Sequence, residues 1–153
     1  MESVECQTIL FLCTGNSCRS QMAEGFGRAL APVGFEILSA GTEPRGIHPK
    51  AIQVMAEVGI DIGSQISQGL EGIDLGGLGL VVTLCDSADQ RCPSLPAAVS
   101  KDHWPLPDPV EAEGGEEEVM AVFRTVRDAI RRRVEELMVG LKSSQSDSER
   151  RTR

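Results

Sequence analysis

The sequence predicts an α/β fold with a mainly parallel sheet, because short apolar segments alternate with segments of helical periodicity. Residues 8–12, 35–39 and 78–84 are the apolar segments, and each is predicted to be a strand. The segments that begin at Ser20 and Pro49 carry apolar residues three or four positions apart, so they are predicted helices. Ligands of such sheets bind at the carboxyl ends of strands, which directs attention to the loop after the first strand.

Local signals set the predicted bounds of the elements. The first helix should stop before Pro32, and the second has a proline in its first turn and stops before Gly59. Residues 69–79 contain five glycines and are predicted to be a loose connection. The last helix should run from about Glu116 to about Leu141, where apolar residues keep the helical spacing.

The length of 153 residues indicates a single core. Residues 1–142 are predicted to form one domain, and the polar residues 143–153 a disordered tail. The net charge of −8 argues against nucleic acid and anionic membranes as partners. Since no segment reaches the roughly 20 apolar residues that cross a bilayer and no basic signal opens the chain, we expect a cytoplasmic protein, and a monomer.

Cysteine chemistry is the main functional signal in the composition. Thiols of a cytoplasmic protein stay reduced, so a structural disulfide framework is not expected. No C-x2-C pair occurs, and the two histidines, His48 and His103, are far apart, so no metal site is predicted. They are instead expected to make structural hydrogen bonds. The remaining role for the cysteines is redox or nucleophilic chemistry of their thiols. The five cysteines are Cys6, Cys13, Cys18, Cys85 and Cys92.

A cysteine and an arginine separated by five residues, Cys13 and Arg19, stand between the first predicted strand and the first predicted helix. A loop of this size can wrap backbone N–H groups around a tetrahedral oxyanion, while the arginine clamps two of its oxygens. A cation and a helix start favour the thiolate that attacks the bound anion, and Ser20 could donate to it. Gly15 and Asn16 permit unusual backbone angles. The predicted oxyanion-binding residues are Thr14, Gly15, Asn16, Ser17, Cys18, Arg19 and Ser20.

By itself, a C-x5-R pattern would often occur by chance, and Cys13 could be only a buried cysteine at a strand end. The strand before it and the helix after it favour the functional interpretation. Cys18 is predicted to be a packing residue, Trp104 is predicted to lie in the core, and Cys6 has no predicted role.

The run from Ile9 to Glu24, ILFLCTGNSCRSQMAE, resembles the signature of the low-molecular-weight protein tyrosine phosphatase superfamily, and within it the thioredoxin-coupled arsenate reductases. The resemblance covers roughly residues 7 to 141. It implies a three-layer α/β sandwich with a central four-stranded parallel sheet. Further matching segments are 39–41, 48–51, 82–89, 92–93, 103–104 and 108–109.

The same resemblance implies a mechanism for arsenic detoxification. Cys13 attacks arsenate, Cys85 then attacks Cys13 with release of arsenite, and Cys92 attacks Cys85 to leave a redox-active disulfide for thioredoxin. Asp108, between Pro107 and Pro109, matches the general acid of the family. Phosphate or sulfate should mimic arsenate, and a phosphatase side activity is expected because phosphate has nearly the same shape and charge.

The spacing of the relay cysteines predicts a change of shape. If residues 85–92 were one regular helix, the two Cα atoms would lie about 10 Å apart, beyond the roughly 7 Å limit for a disulfide. We therefore predict a short, weakly held helix or loop that unwinds on oxidation. Asp86, Ser87 and Asp89 suit such a segment, because their side chains compete with helical hydrogen bonds.

Some relatives bind potassium through four residues, of which Asn16, Glu24 and Ser39 appear here while Gln68 replaces an aspartate, so potassium is doubtful.

Two other functions stay open. A low-molecular-weight protein tyrosine phosphatase would use the same nucleophile, although the relay pair and the lack of tyrosine tell against it. A non-catalytic thiol sensor would need neither the acid nor the relay.

Overall fold

The computed structural model describes residues 7–151, with side chains described for residues 7–142. Its strands form one sheet in the order β2-β1-β3-β4, and all three pairings are parallel. The predicted α/β fold with a four-stranded parallel sheet is therefore confirmed. The strands are Gln7–Cys13 (β1), Phe35–Gly41 (β2), Leu80–Thr83 (β3) and Ser100–His103 (β4).

The helices lie close to their predicted positions. Helix α4 is the exception, because it continues to Arg151 rather than ending near Leu141, so that predicted end is wrong. It enters the segment 143–153 that was predicted to be a disordered tail, and the domain boundary at residue 142 stays a prediction. The helices are Arg19–Leu30 (α1), Pro49–Ala56 (α2), Asp86–Arg91 (α3) and Glu116–Arg151 (α4), with 3-10 turns at Leu75–Gly77 and Pro109–Glu111.

Strand β1 forms the centre of the core. Four consecutive residues, Ile9 to Leu12, are each at most 1% exposed. Since successive strand residues point to opposite faces, their burial means that both faces of β1 are covered. This explains the continuous apolar run that predicted the strand.

Strand β4 was not located by its residues, although the resemblance implied a fourth strand. Its sequence, Ser-Lys-Asp-His, is polar, and it lies at the edge of the sheet, where one side of the strand is unpaired. Trp104 follows it in the core, 3% exposed and 5.7 Å from Phe11 between ring centroids, as predicted.

The glycine-rich segment 69–79 is anchored rather than loose. Its residues Leu70, Ile73 and Leu75 pack against the core, and Leu78 is buried within it. Asp74 caps the 3-10 turn by accepting a hydrogen bond from the backbone N–H of Gly76 at 3.1 Å. The prediction of a loose connection was wrong because it considered the glycines and not the apolar residues between them.

Helices α2 and α4 are joined by an ion-pair cluster. Glu57 accepts from Arg124 at 2.9 Å and from Arg127 at 2.8 Å, and Arg127 also donates to the carbonyl of Val54. The hydrogen bond from Arg124, followed by that from Arg127, lowers the pKa of Glu57 to about 2 against an opposing effect of burial.

Glu57→Gln should therefore lower the melting temperature at pH 6 to 7. A carboxyl group whose pKa is depressed by folding contributes stability above its unfolded pKa of 4.5, and loses that contribution as the pH falls toward 2. The difference in melting temperature from wild type should accordingly shrink between pH 4.5 and 2, as measured by circular dichroism. Glu135→Gln, in an exposed pair on α4, is the matched control. An equal difference at pH 2 and pH 7 would assign the effect to packing instead.

Among residues 7–151, no helix combines the length and the apolar character needed to cross a membrane.

Candidate active site

The strand order places the candidate site at a switch point of the sheet. Strand β1 lies between β2 and β3, so the loops that leave the carboxyl ends of β1 and β3 open beside each other. Cys13 ends β1, and Cys85 follows β3 by two residues. Two cysteines 72 positions apart in the sequence are thereby brought to the same edge of the sheet.

The loop from Cys13 to Arg19, which we call the cradle, is held by buried amide and hydroxyl groups. Asn16 adopts a left-handed φ of 45°, as the sequence suggested, whereas Gly15 is not among the residues with positive φ. The Asn16 amide donates to Ser20 Oγ at 2.7 Å and to Ser39 Oγ at 2.9 Å. Its Oδ1 accepts from the backbone N–H of Gln68 at 2.8 Å. These contacts hold the cradle in shape before any anion binds.

Gly41, the last residue of β2, permits the cradle to lie against the sheet. A Cβ atom there would come within 2.5 Å of the Thr14 carbonyl oxygen and 2.7 Å of the Asn16 nitrogen. Because both neighbours are backbone atoms, no side-chain rearrangement could make room. Thr42 and Glu43, which follow, donate from their backbones to the carbonyls of Cys13 and Thr14.

Cys13, the predicted nucleophile, lines a cavity of about 780 Å³. Its sulfur lies 2.8 Å from Ser20 Oγ, which can donate a hydrogen bond to a thiolate. Arg19 directs Nη1 to the Leu106 carbonyl at 3.0 Å and Nη2 toward Asp108 Oδ2 at 3.5 Å. The nucleophile, the arginine and the acid predicted from the sequence therefore line one cavity.

Ser20→Ala should slow the alkylation of Cys13 by iodoacetamide at pH 6 to 7 by about ten- to a hundredfold. A hydrogen bond to a charged group contributes about 1.5 to 3 kcal/mol, and the thiolate is the reactive form. Rates are followed by peptide mass spectrometry at Cys13. Thr125→Ala, which removes an exposed hydroxyl on α4, is the control. A rate unchanged within twofold would mean that Ser20 serves only to orient Asn16.

Asp108 is held by the loop in which it lies. Its Oδ1 accepts from the backbone N–H of Val110 at 3.0 Å and caps the following 3-10 turn, leaving Oδ2 toward Arg19. The flanking prolines restrict this loop, as the sequence suggested. The carboxyl group thus lines the same cavity as Cys13 and Arg19.

Cys85 meets the cradle through Thr14. Their Oγ1 and Sγ atoms lie 3.3 Å apart, and the Cys85 sulfur also accepts from the backbone N–H of Ala88 at 3.4 Å as the N-cap of α3. Cys92 follows the last residue of α3 and is half-buried. A short helix or loop was predicted between Cys85 and Cys92, and the segment is a helix of six residues.

Cys18 and the two histidines make contacts that suit structural roles. Burial raises the pKa of Cys18 to about 12, which suits the predicted packing residue. His48 caps α2 by accepting from the Lys50 N–H, and burial followed by the charge of Lys50 lowers its pKa. His103 lies 2.7 Å from Thr83 Oγ1 and 3.0 Å from Asp86, so the predicted structural hydrogen bonds are confirmed. Cys6 lies outside the described residues.

Several residues of the site carried no sequence signal of their own. Gln21 is fully buried and donates to the Asn16 backbone and side chain, so it supports the cradle from α1. Arg45 lines the cavity entrance and Leu106 supplies a carbonyl to Arg19. Their roles depend on loops that meet only in the folded chain.

The residues compared with a potassium site do come together, but their oxygens are already bonded to donors. Ser39 Oγ donates to Glu24 at 2.6 Å, and the Gln68 side-chain amide donates to the Ser39 carbonyl at 3.1 Å. Arg28 pairs with Glu24 at 2.8 Å and balances its charge. Hydrogen bonds and an ion pair therefore give the Glu24 carboxylate and the Ser39 oxygens partners within the protein. No group of three or more His, Cys, Asp or Glu side chains that could hold a metal ion occurs in the described part of the chain.

Comparisons with known proteins agree with this geometry. Residues 8–147 match the family described as low molecular weight phosphotyrosine protein phosphatase. The arsenate reductase of Bacillus subtilis is 47% identical over 133 residues, which is 87% of this chain and 96% of that protein. The arsenate reductase of Staphylococcus aureus is 47% identical over 84% of this chain and 94% of its own length.

Solved structures give the same result. An arsenate reductase in the phosphate binding state superposes with a TM-score of 0.70 at 36% identity, over 88% of this chain and 98% of that one. A thioredoxin-dependent arsenate reductase from Corynebacterium glutamicum, at 24% identity and a TM-score of 0.75, shares the fold over 94% of this chain and 65% of its own. The nucleophile cradle, the sheet order and these matches together place the chain in the low molecular weight phosphotyrosine protein phosphatase family, among its arsenate reductases.

Proposed function

We propose that the protein reduces arsenate to arsenite through a thiol relay from Cys13 to Cys85 to Cys92, and that thioredoxin reduces the resulting disulfide. The observation that supports this most directly is the 3.3 Å contact between Thr14 of the cradle and Cys85. It brings a second thiol beside an oxyanion site, which a hydrolase does not need and a two-electron reductase does.

In the first step, arsenate enters the cradle and Cys13 attacks arsenic. Backbone N–H groups of the cradle and the guanidinium of Arg19 balance the negative charge. Asp108 delivers a proton to the departing oxygen, which leaves as water. The product is a covalent arsenic–sulfur adduct in which arsenic is still pentavalent.

In the second step, Cys85 attacks the Cys13 sulfur. The arsenic–sulfur bond breaks, its electron pair stays on arsenic, and arsenite departs with trivalent arsenic. Cys13 and Cys85 are now a disulfide, so the two thiols have supplied both electrons. The hydroxyl of Thr14 and the backbone N–H of Ala88 can donate to a thiolate at Cys85.

In the third step, Cys92 attacks Cys85 and frees Cys13 for another cycle. The disulfide can form only if α3 loses its helical shape, because a six-residue helix separates the two cysteines. A dithiol donor such as thioredoxin then exchanges with this disulfide. We infer a cytoplasmic monomer, since the relay requires a reducing compartment and all three thiols lie on one chain.

A phosphatase activity on small phosphate esters should accompany the reductase, because Cys13, Arg19 and Asp108 suffice for it. A dedicated phosphotyrosine phosphatase is less well supported. His48 is the one aromatic side chain among the described residues that line the cavity, so little is present to stack against a phenol ring.

The deciding experiment compares both activities of the wild-type protein. With arsenate, thioredoxin, thioredoxin reductase and NADPH, we expect one arsenite for each NADPH oxidised, and little turnover when glutathione replaces thioredoxin. Hydrolysis of p-nitrophenyl phosphate, measured in parallel, should be slow. Rapid hydrolysis of phosphotyrosine peptides without arsenite formation would instead establish the phosphatase.

A further inference from the structure

The C-terminal half of α3 makes two ion pairs with separate parts of the fold, one with strand β4 and one with the loop after β2. Lys101 Nζ, on strand β4, lies 2.9 Å from Asp89 Oδ1. Arg91 Nη1 lies 2.7 Å from Glu43 Oε1, in the loop after β2. We call these four residues the α3 clasp.

Lys101 also stabilises the C-terminal end of α3 with a hydrogen bond. Lys101 Nζ donates to the backbone carbonyl of Asp89 at 3.3 Å, and the last carbonyls of a helix have no partner within it. Thr83 Oγ1 donates to Asp89 at 3.1 Å, so the same carboxylate is held by β3 and β4. These bonds suit a helical α3 and hold its final turn on the sheet.

The Arg91 side of the clasp connects α3 to the cradle. Glu43 accepts from Arg91 and from Arg45, and the hydrogen bond from Arg91 is the largest cause of its lowered pKa. The backbone N–H of Glu43 donates to the Thr14 carbonyl at 2.8 Å. Arg91 directly precedes Cys92, so a movement of this cysteine toward Cys85 must pull Arg91 away from Glu43.

We propose that the α3 clasp stabilises the dithiol form of Cys85 and Cys92 and thereby raises the reduction potential of their disulfide. The proposal rests on the relay of the proposed function. The half-reaction takes two electrons and two protons to convert the disulfide into two thiols, and only the thiol form has a helical α3. Contacts made only in that form shift the equilibrium toward it, which favours recycling by a dithiol donor.

Lys101 affects the relay in two ways, through its ion pair with Asp89 and through its charge beside Cys92. The test must separate these two effects. Burial raises the pKa of Cys92, and the charge of Lys101 opposes that rise. A Lys101 variant therefore changes both the clasp and the charge beside a thiol. Arg91 pairs with Glu43 on the other side of the clasp, so its variant tests the clasp while Lys101 stays in place.

The experiment measures the potential of the Cys85–Cys92 couple in the full-length protein for Lys101→Met, Arg91→Met and the double variant. Each protein is equilibrated with dithiothreitol buffers, and the disulfide is quantified by mass mapping. Arg131→Met, which breaks an exposed pair with Glu135 on α4, is the matched control. Arsenate KM is measured alongside and should stay within twofold, because the clasp leaves the cradle intact.

We expect each single variant to favour the disulfide by about threefold, which is about 15 mV toward negative potential for a two-electron couple, and the double variant by about tenfold, or about 30 mV. One molar KCl should move wild type toward the double variant and change the double variant little, because salt screens exposed pairs. The control should match wild type in both respects.

Two failures are distinguishable. If mapping finds no Cys85–Cys92 disulfide in the oxidised wild-type protein, the proposed relay is wrong, and the proposed role of the α3 clasp is wrong with it. If that disulfide forms but the Arg91 and double variants keep the wild-type potential within 5 mV, the relay stands and the clasp is overturned.

Discussion

Cys85→Ser should abolish the formation of arsenite while leaving phosphate ester hydrolysis in place. In this variant Cys13 can still attack the bound anion, and Arg19 and Asp108 are unchanged, so the adduct forms. Without the Cys85 thiol to attack the Cys13 sulfur, the electron pair cannot pass to arsenic, and only hydrolysis back to arsenate remains. Single-turnover assays with equimolar arsenate should therefore give less than about one hundredth of the wild-type arsenite.

Cys92→Ser is the matched control for that result. It retains Cys85, so it should release about one equivalent of arsenite and stop as a Cys13–Cys85 disulfide that mass mapping can identify. Cys13→Ser serves as the blank for both reactions. Undiminished arsenite from the Cys85 variant would rule out the relay, whereas continuous turnover by the Cys92 variant would remove only its last step.

Arg19→Lys should lower kcat/KM by about a hundred- to a thousandfold for arsenate and for phosphate esters alike. Arg19 donates to the Leu106 carbonyl through Nη1 at 3.0 Å and lies 3.5 Å from Asp108 Oδ2 through Nη2, so two groups fix its guanidinium in the cavity wall. A guanidinium has enough N–H donors to bond that carbonyl and two anion oxygens at once. The single ammonium group of lysine cannot reproduce this forked, bidentate geometry.

The control for this charge-conserving change is Arg45→Lys at the cavity entrance. The Arg45 side chain is 68% exposed and pairs with Glu43, so we expect a loss below about threefold. Steady-state rates with arsenate and with p-nitrophenyl phosphate measure both variants. If the kcat/KM of Arg19→Lys stays within fivefold of wild type, a positive charge is sufficient for activity and the bidentate geometry of arginine is not needed.

Local features of the sequence determined the elements and the reactive residues. The apolar run at 8–12 and Pro49 are short-range signals, so they predicted β1 and α2 correctly. The C-x5-R spacing predicted a loop between β1 and α1, which is present, and its binding of an oxyanion stays a prediction. The spacing of Cys85 and Cys92 also predicted a short helix or loop between them, and the segment is a six-residue helix. Its unwinding on oxidation stays a prediction, because it concerns a second state of the chain.

Tertiary structure decided how these pieces meet, because contacts between distant segments leave no periodic trace. The switch point between β1 and β3 places Thr14 beside Cys85, and Gly41 lets the cradle lie against the sheet. Strand β4 is polar and at an edge, so pairing with β3 rather than composition makes it a strand. The sequence by itself predicted an oxyanion-binding loop and three relay thiols. Only the folded sheet decided that two of those thiols share one cavity, because strand order is set by the packing of the whole chain.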